Sequence, residues 1–101
     1  MAFETNLIAL SWRDGRYAVI SHLIAHINTE LLRNEGRLHN VSGGTGYVDE
    51  ATILSRAQFE RYLLPESLPW SRSVQEWYST LPNEVAFIIV HRAEWESGMG
   101  D

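Results

Sequence analysis

His22 and His26 stand four residues apart, and Glu30 follows after four more. On one face of a helix, such a row can bind Zn2+ or Ni2+, because two imidazoles and a carboxylate at successive turns can converge on one ion. Leu23, Ile24 and Ala25 separate the histidines, so the HExxH pattern of zinc proteases is absent. A solvated helix face accounts for the row equally well, which leaves the pair a weak metal candidate. His91 offers different chemistry. It closes an apolar row of Val85, Phe87 and Ile89, where a titratable ring beside a carboxylate can move a proton. Asp49 and Glu50 are the nearest carboxylates that a sheet would bring to it, and His39 can approach it across that sheet. The run Ser42-Gly43-Gly44-Thr45-Gly46 lacks the Gly-Lys-[Ser/Thr] of a phosphate loop and the offsets of a dinucleotide fingerprint, so it reads as a hairpin turn. No motif calls for a cofactor.

Four tryptophans are many for 101 residues. The spacing of Trp77 with Val74, Tyr78 and Leu81 gives it a core address. Trp12, Trp70 and Trp95 fall at the ends of elements or in loops, where large aromatics line pockets or anchor partners. Trp70, between Pro69 and Ser71, reads as an exposed anchor, and Trp95, with Arg92 and Glu94 nearby, as a second.

These residues need elements to position them. The apolar run 6–12 is short enough for a strand. Asp14-Gly15 can close a hairpin, but the downstream positions Tyr17, Ile20, Leu23, Ile24, Ile27, Leu31 and Leu32 recur at helical spacing, and they predict a helix over 16–34 with Gly36 as its left-handed stop. His22 and His26 would lie opposite its apolar stripe. Residues 37–41 and 47–54 read as a hairpin around the glycine run. A single helix over 50–64 is the alternative, but it would point Ile53, Leu54 and Ala57 away from Phe59, Tyr62 and Leu63. A break at Ser55, with Gln58 completing a capping box, predicts a helix over 56–64. Ser73 is the expected cap of a second short helix, which ends at Pro82-Asn83. Residues 84–92 form a strand with Val85, Phe87 and Ile89 on one side and Ala86, Ile88 and Val90 on the other. A strand apolar on both faces is central or covered twice. The order predicts an α+β, ferredoxin-like split βαβ sandwich, an antiparallel sheet with helices on one face, with a mainly α bundle as the alternative. One domain over 1–101 with a frayed tail at 96–101 is expected.

Thirteen acidic residues against eight arginines, with no lysine, give a net charge of -5. Phosphate binding needs clustered cations, so nucleic acid is excluded as a partner. The absence of cysteine excludes disulfides and thiolate chemistry. No apolar run reaches the roughly 20 residues that span a bilayer, and Glu4 and Asn6 interrupt the first one, so a cytoplasmic, non-membrane protein is expected. The leading functional expectation is a non-catalytic ligand-binding or protein-interaction module. It would be homodimeric through the open face of its sheet and would use Trp12, Trp70, Trp95 and Arg92 toward a small apolar ligand or a protein. The alternatives are a small acid–base isomerase or hydrolase using His91 with Asp49 or Glu50, and an acidic inhibitor or immunity-type protein that occupies a basic partner.

Overall fold

The computed structural model describes residues 2–27, 29–40, 47–65 and 67–95. Its elements are β1 (Ala2–Arg13), β2 (Arg16–Ala25), α1 (Glu30–Asn34), β3 (His39–Asn40), β4 (Tyr47–Ser55), α2 (Arg56–Leu63), α3 (Ser71–Ser79) and β5 (Val85–Trp95). The strands form a five-stranded sheet in the order β2-β1-β5-β4-β3, with every neighbouring pair antiparallel. The α+β class expected from sequence is therefore found, and the sheet overturns the helical-bundle alternative.

The helix expected over 16–34 is a strand followed by one short helix. Asp14 and Gly15 both have positive φ, 51° and 80°, which is the backbone of the two-residue turn whose twist matches a hairpin. Arg13 and Arg16 pair directly across it. The helical spacing misled because β2 carries apolar residues on both faces and is bulged. Leu10 pairs with Val19 and Ala9 with Ser21, so Ile20 is the extra residue and the alternation slips by one. Only the end of the expected helix survives. Gly36, at φ 69°, stops α1, and the amide of Arg37 donates to the Leu32 carbonyl at 2.9 Å. With a hairpin in place of the first βαβ crossover, the split βαβ connectivity does not form.

The C-terminal half follows its pattern more closely. Ser55 ends β4 and caps α2: its Oγ accepts from the Gln58 amide, and the Gln58 side chain accepts from the Ser55 amide. Helix α3 begins at Ser71, with Trp70 as its cap residue, so Ser73 lies inside it and donates to the Trp70 carbonyl. Strand β5 runs beyond 92 and is central, as expected, but its faces are not those of simple alternation. Leu10 pairs with Phe87 and Ser11 with Val85, which leaves Ala86 as a second bulge. Val85 therefore joins Ile88 and Val90 in the core, while Phe87 and Ile89 occupy the other face.

All the helical packing lies on one face. Leu7, Ala9, Leu54, Ile88 and Val90 of the sheet share a core with Phe59, Tyr62 and Leu63 of α2 and Val74 and Trp77 of α3. Phe59 stacks on Tyr78 with centroids 5.2 Å apart, and Trp77 Nε1 donates to Ser21 Oγ at 2.9 Å. The glycine turn at 42–46 and the tail at 96–101 lie outside the described residues. No helix of the described residues is long and apolar enough to cross a membrane.

Candidate functional site

Alternation along the strands decides which side chains meet on the sheet face away from the helices. On β1, Thr5, Leu7, Ala9 and Ser11 are buried, so Ile8, Leu10 and Trp12 point the other way. The registers put Ile8 beside Ile89 and Leu10 beside Phe87 on β5, and Trp12 beside Tyr17 and Leu10 beside Val19 on β2. Ile53 of β4 joins them as the partner of Ile89. Among the described side chains, the large apolar ones exposed by more than half are Trp12, Tyr17, Val19, Ile24 and Ile53, and all five belong to this face. Three aromatics form a row at one end. Trp12 and Tyr17 meet edge to face with centroids 4.9 Å apart, and Tyr17 and Phe87 do so at 6.1 Å.

The other end of the same face is polar. His91 aligns with Asn6 on β1 and with Ala51 on β4, and Ala51 aligns with His39. His91 and His39 thus share a row with one strand between them, about 10 Å at ordinary strand spacing. His22 Nε2 lies 2.9 Å from Asn6 Oδ1.

The two proposed carboxylate partners of His91 separate. Glu50 lies on the helix side of β4, where it takes Arg33 in a two-pronged pair at 2.5 and 3.3 Å. It cannot serve His91 from the opposite face. Asp49 pairs with Ala93, two residues along β5 from His91. The helical chelate of His22 and His26 is not built either, because His22 is on a strand and His26 just beyond it. Four residues of strand span about 13 Å, too far for one ion. Among the described residues no group of three potential ligands is close enough to hold a metal.

The tryptophans also divide. Trp12 is 59% exposed on the open face. Trp70 is not an exposed anchor: it packs against the core, and its buried Nε1 has no hydrogen-bond partner among the described residues. Trp95 ends β5, in register with Ala2 and Tyr47. Arg92 aligns with Thr5 and Glu50 on the helix side.

Sequence reasoning missed a cavity at the far edge of the sheet. Among the described residues, strand β3 pairs with β4 at Glu50 and Ala51. The chain leading into it, residues 35–38, leaves a cavity of about 770 Å3 beside Thr52 and Ile53. Ala51, Ile53 and Ile89 give it an apolar wall, and Glu35, Arg37 and His39 a polar one. Arg37 is fixed from below: its Nε donates to the Tyr62 hydroxyl at 3.2 Å, and that hydroxyl donates to Glu35. The only sequence signal was the pairing of Gly36 with a basic neighbour, which carries little information alone. Comparison with protein-family models, with curated proteins and with solved structures finds no match to this chain.

Proposed function

We propose that this chain is a non-catalytic interaction module whose open sheet face pairs with the same face of a second copy. The observation that carries this reading is the gathering of Trp12, Tyr17, Val19 and Ile53 around Ile8, Leu10, Phe87 and Ile89 on one face, with Ile24 beside Asn6 at its polar end. Monomeric proteins rarely leave a contiguous apolar patch of more than a few hundred Å2 in water. From the sizes of these side chains and their exposure, the patch offers on the order of 600 Å2 per copy, about 1,200 Å2 for a pair, which reaches the range of stable interfaces.

Charge favours a second copy over a basic partner. The carboxylate positions of this face, Glu4 and Asp49, both align with Ala93 beyond its polar end, and the strand positions of the aromatic end, Leu10, Trp12, Tyr17, Val19 and Phe87, carry no charge. Two like copies of a chain with net charge -5 can therefore approach through the aromatic end with little repulsion. A basic partner would find no row of carboxylates on it. A two-fold pair presents the same surface twice, and the row of Trp12, Tyr17 and Phe87 supplies rigid aromatic anchors of the kind that dominate such interfaces.

Light scattering at micromolar concentration tests the reading. The parent chain is expected at twice 11.6 kDa. The Val19→Asp variant is expected at the single-chain mass with an unchanged circular dichroism spectrum, because Val19 is 63% exposed and contributes nothing to the core. A parent chain that stays monomeric overturns the reading.

A further inference from the structure

We propose that the cavity between residues 35–39 and the outer edge of β4 binds a small monocarboxylate with an apolar chain. The cavity shares Ile53 and Ile89 with the open face but lies at its far edge from the aromatic row, and its polar wall, Glu35, Arg37 and His39, is not part of that row.

The volume, about 770 Å3, falls within the range of small-molecule sites, and so does the division of the lining into an apolar wall with a few convergent polar groups. Ala51, Ile53 and Ile89 present only carbon to the interior from their side chains. A hydrocarbon chain laid against them leaves water without losing any hydrogen bond. The polar wall is selective. Arg37 spends its Nε on the Tyr62 hydroxyl, which leaves the terminal pair of guanidinium nitrogens with no hydrogen bond to any described residue. A planar fork of this kind matches the two oxygens of a carboxylate. His39 adds an exposed imidazole on the same wall, with no polar partner among the described residues, and so another possible donor.

The fork is held in place before any ligand arrives. Tyr62 is 3% exposed and anchored in the core by α2. The Arg37 guanidinium sits 5.5 Å from the centroid of its ring as well as on its hydroxyl. An arginine fixed at Nε loses less freedom on binding than a free one. Glu35 limits the charge of the ligand. Its carboxylate accepts from the same Tyr62 hydroxyl, so the wall carries one permanent cation, one anion and one imidazole. Arg37 offers its two terminal nitrogens to one carboxylate, and Glu35 supplies no donor for a second. A dicarboxylate or phosphate dianion would meet Glu35 and the overall negative charge of the chain without a second cation. A primary ammonium would face Arg37.

Octanoate, octanol and octylammonium are suitable probes, because they share a chain and differ in the head group. Isothermal titration on the full chain is expected to show octanoate binding and the other two on the order of tenfold weaker or worse, the size of a charge-assisted hydrogen bond. Methyl and amide shifts on octanoate addition are expected at Ala51, Ile53 and Ile89. Arg37→Gln is expected to lose about tenfold for octanoate while octanol is unchanged. The Val19→Asp chain, which does not pair, is expected to bind octanoate at least as tightly as the parent, because no second copy covers Ile53. Octanoate binding by that single chain separates this site from the pairing of two copies. Equal affinity for octanoate and octanol overturns the proposal, as does absence of octanoate binding at millimolar concentration, or a folded Arg37→Gln chain that binds octanoate undiminished. If Arg37→Gln does not fold, the comparison of the three probes on the parent chain decides.

Discussion

Glu84 shows what one side chain does at the junction of two strands. It receives Ser11 Oγ at 3.0 Å, Arg13 Nε at 3.0 Å and a second Arg13 nitrogen, which ties the end of β1 to the residue before β5. The hydrogen bond from Arg13, followed by that from Ser11, holds its carboxyl below the usual carboxylate range. A lowered folded-state value means that the carboxylate contributes stability which is complete above the unfolded value, about pH 4.3, and is lost as pH falls through the folded one. Glu84→Gln is therefore expected to melt below the parent at neutral pH, with the gap closing as pH falls below the unfolded value and through the lowered folded one. Melting curves of the two chains across that range check this, and a gap independent of pH would contradict it. At this scale the sequence was legible in part. Trp77 and the Ser55 capping box are set by neighbours three or four residues away. Glu50 was assigned to His91 because both were near the same sheet, whereas the parity of a strand position sends Glu50 to the other face, where Arg33 takes it.

The element that sequence reading missed is β2. Its first signal was local and correct: Asp14-Gly15 has the composition of a tight hairpin turn, and both residues adopt positive φ. A Cβ at Gly15 would meet nothing within 4 Å, so only the backbone conformation opposes a side chain there. Gly15→Ala is expected to destabilise the chain by about 1–2 kcal/mol, the cost of an L-residue in the left-handed region, as read by urea denaturation. A change within error would mean that the turn relaxes at no cost. The second signal, apolar spacing of three and four, came from a tertiary fact. An edge strand with apolar side chains on both faces and a bulge at Ile20 mimics a helical stripe. The bulge at Ala86 had the same effect on β5: it moved Val85 to the core while Phe87 stayed out. A slip of one residue reverses a strand's faces, and nothing in local composition marks either bulge.

For the molecule as a whole, the sequence carried the class and the existence of a twice-apolar central strand. It did not carry the connectivity, which depends on whether residues 16–25 coil or extend. The pairing of copies proposed above would add a concentration term to stability. The melting temperature of the parent is expected to rise with protein concentration and that of Val19→Asp to stay fixed, as calorimetry over a dilution series would show. A parent midpoint independent of concentration would count against pairing. The position of β2 at the end of the sheet has a separate consequence. Its ten residues end the sheet with no lysine or proline among them, and the bulge at Ile20 is the irregularity along them. Such a border is a template for another extended segment. Conditions that loosen the molecule without dissolving its strands would thus favour growth by stacking chain upon chain into fibrils, seeded at Arg16–Ala25.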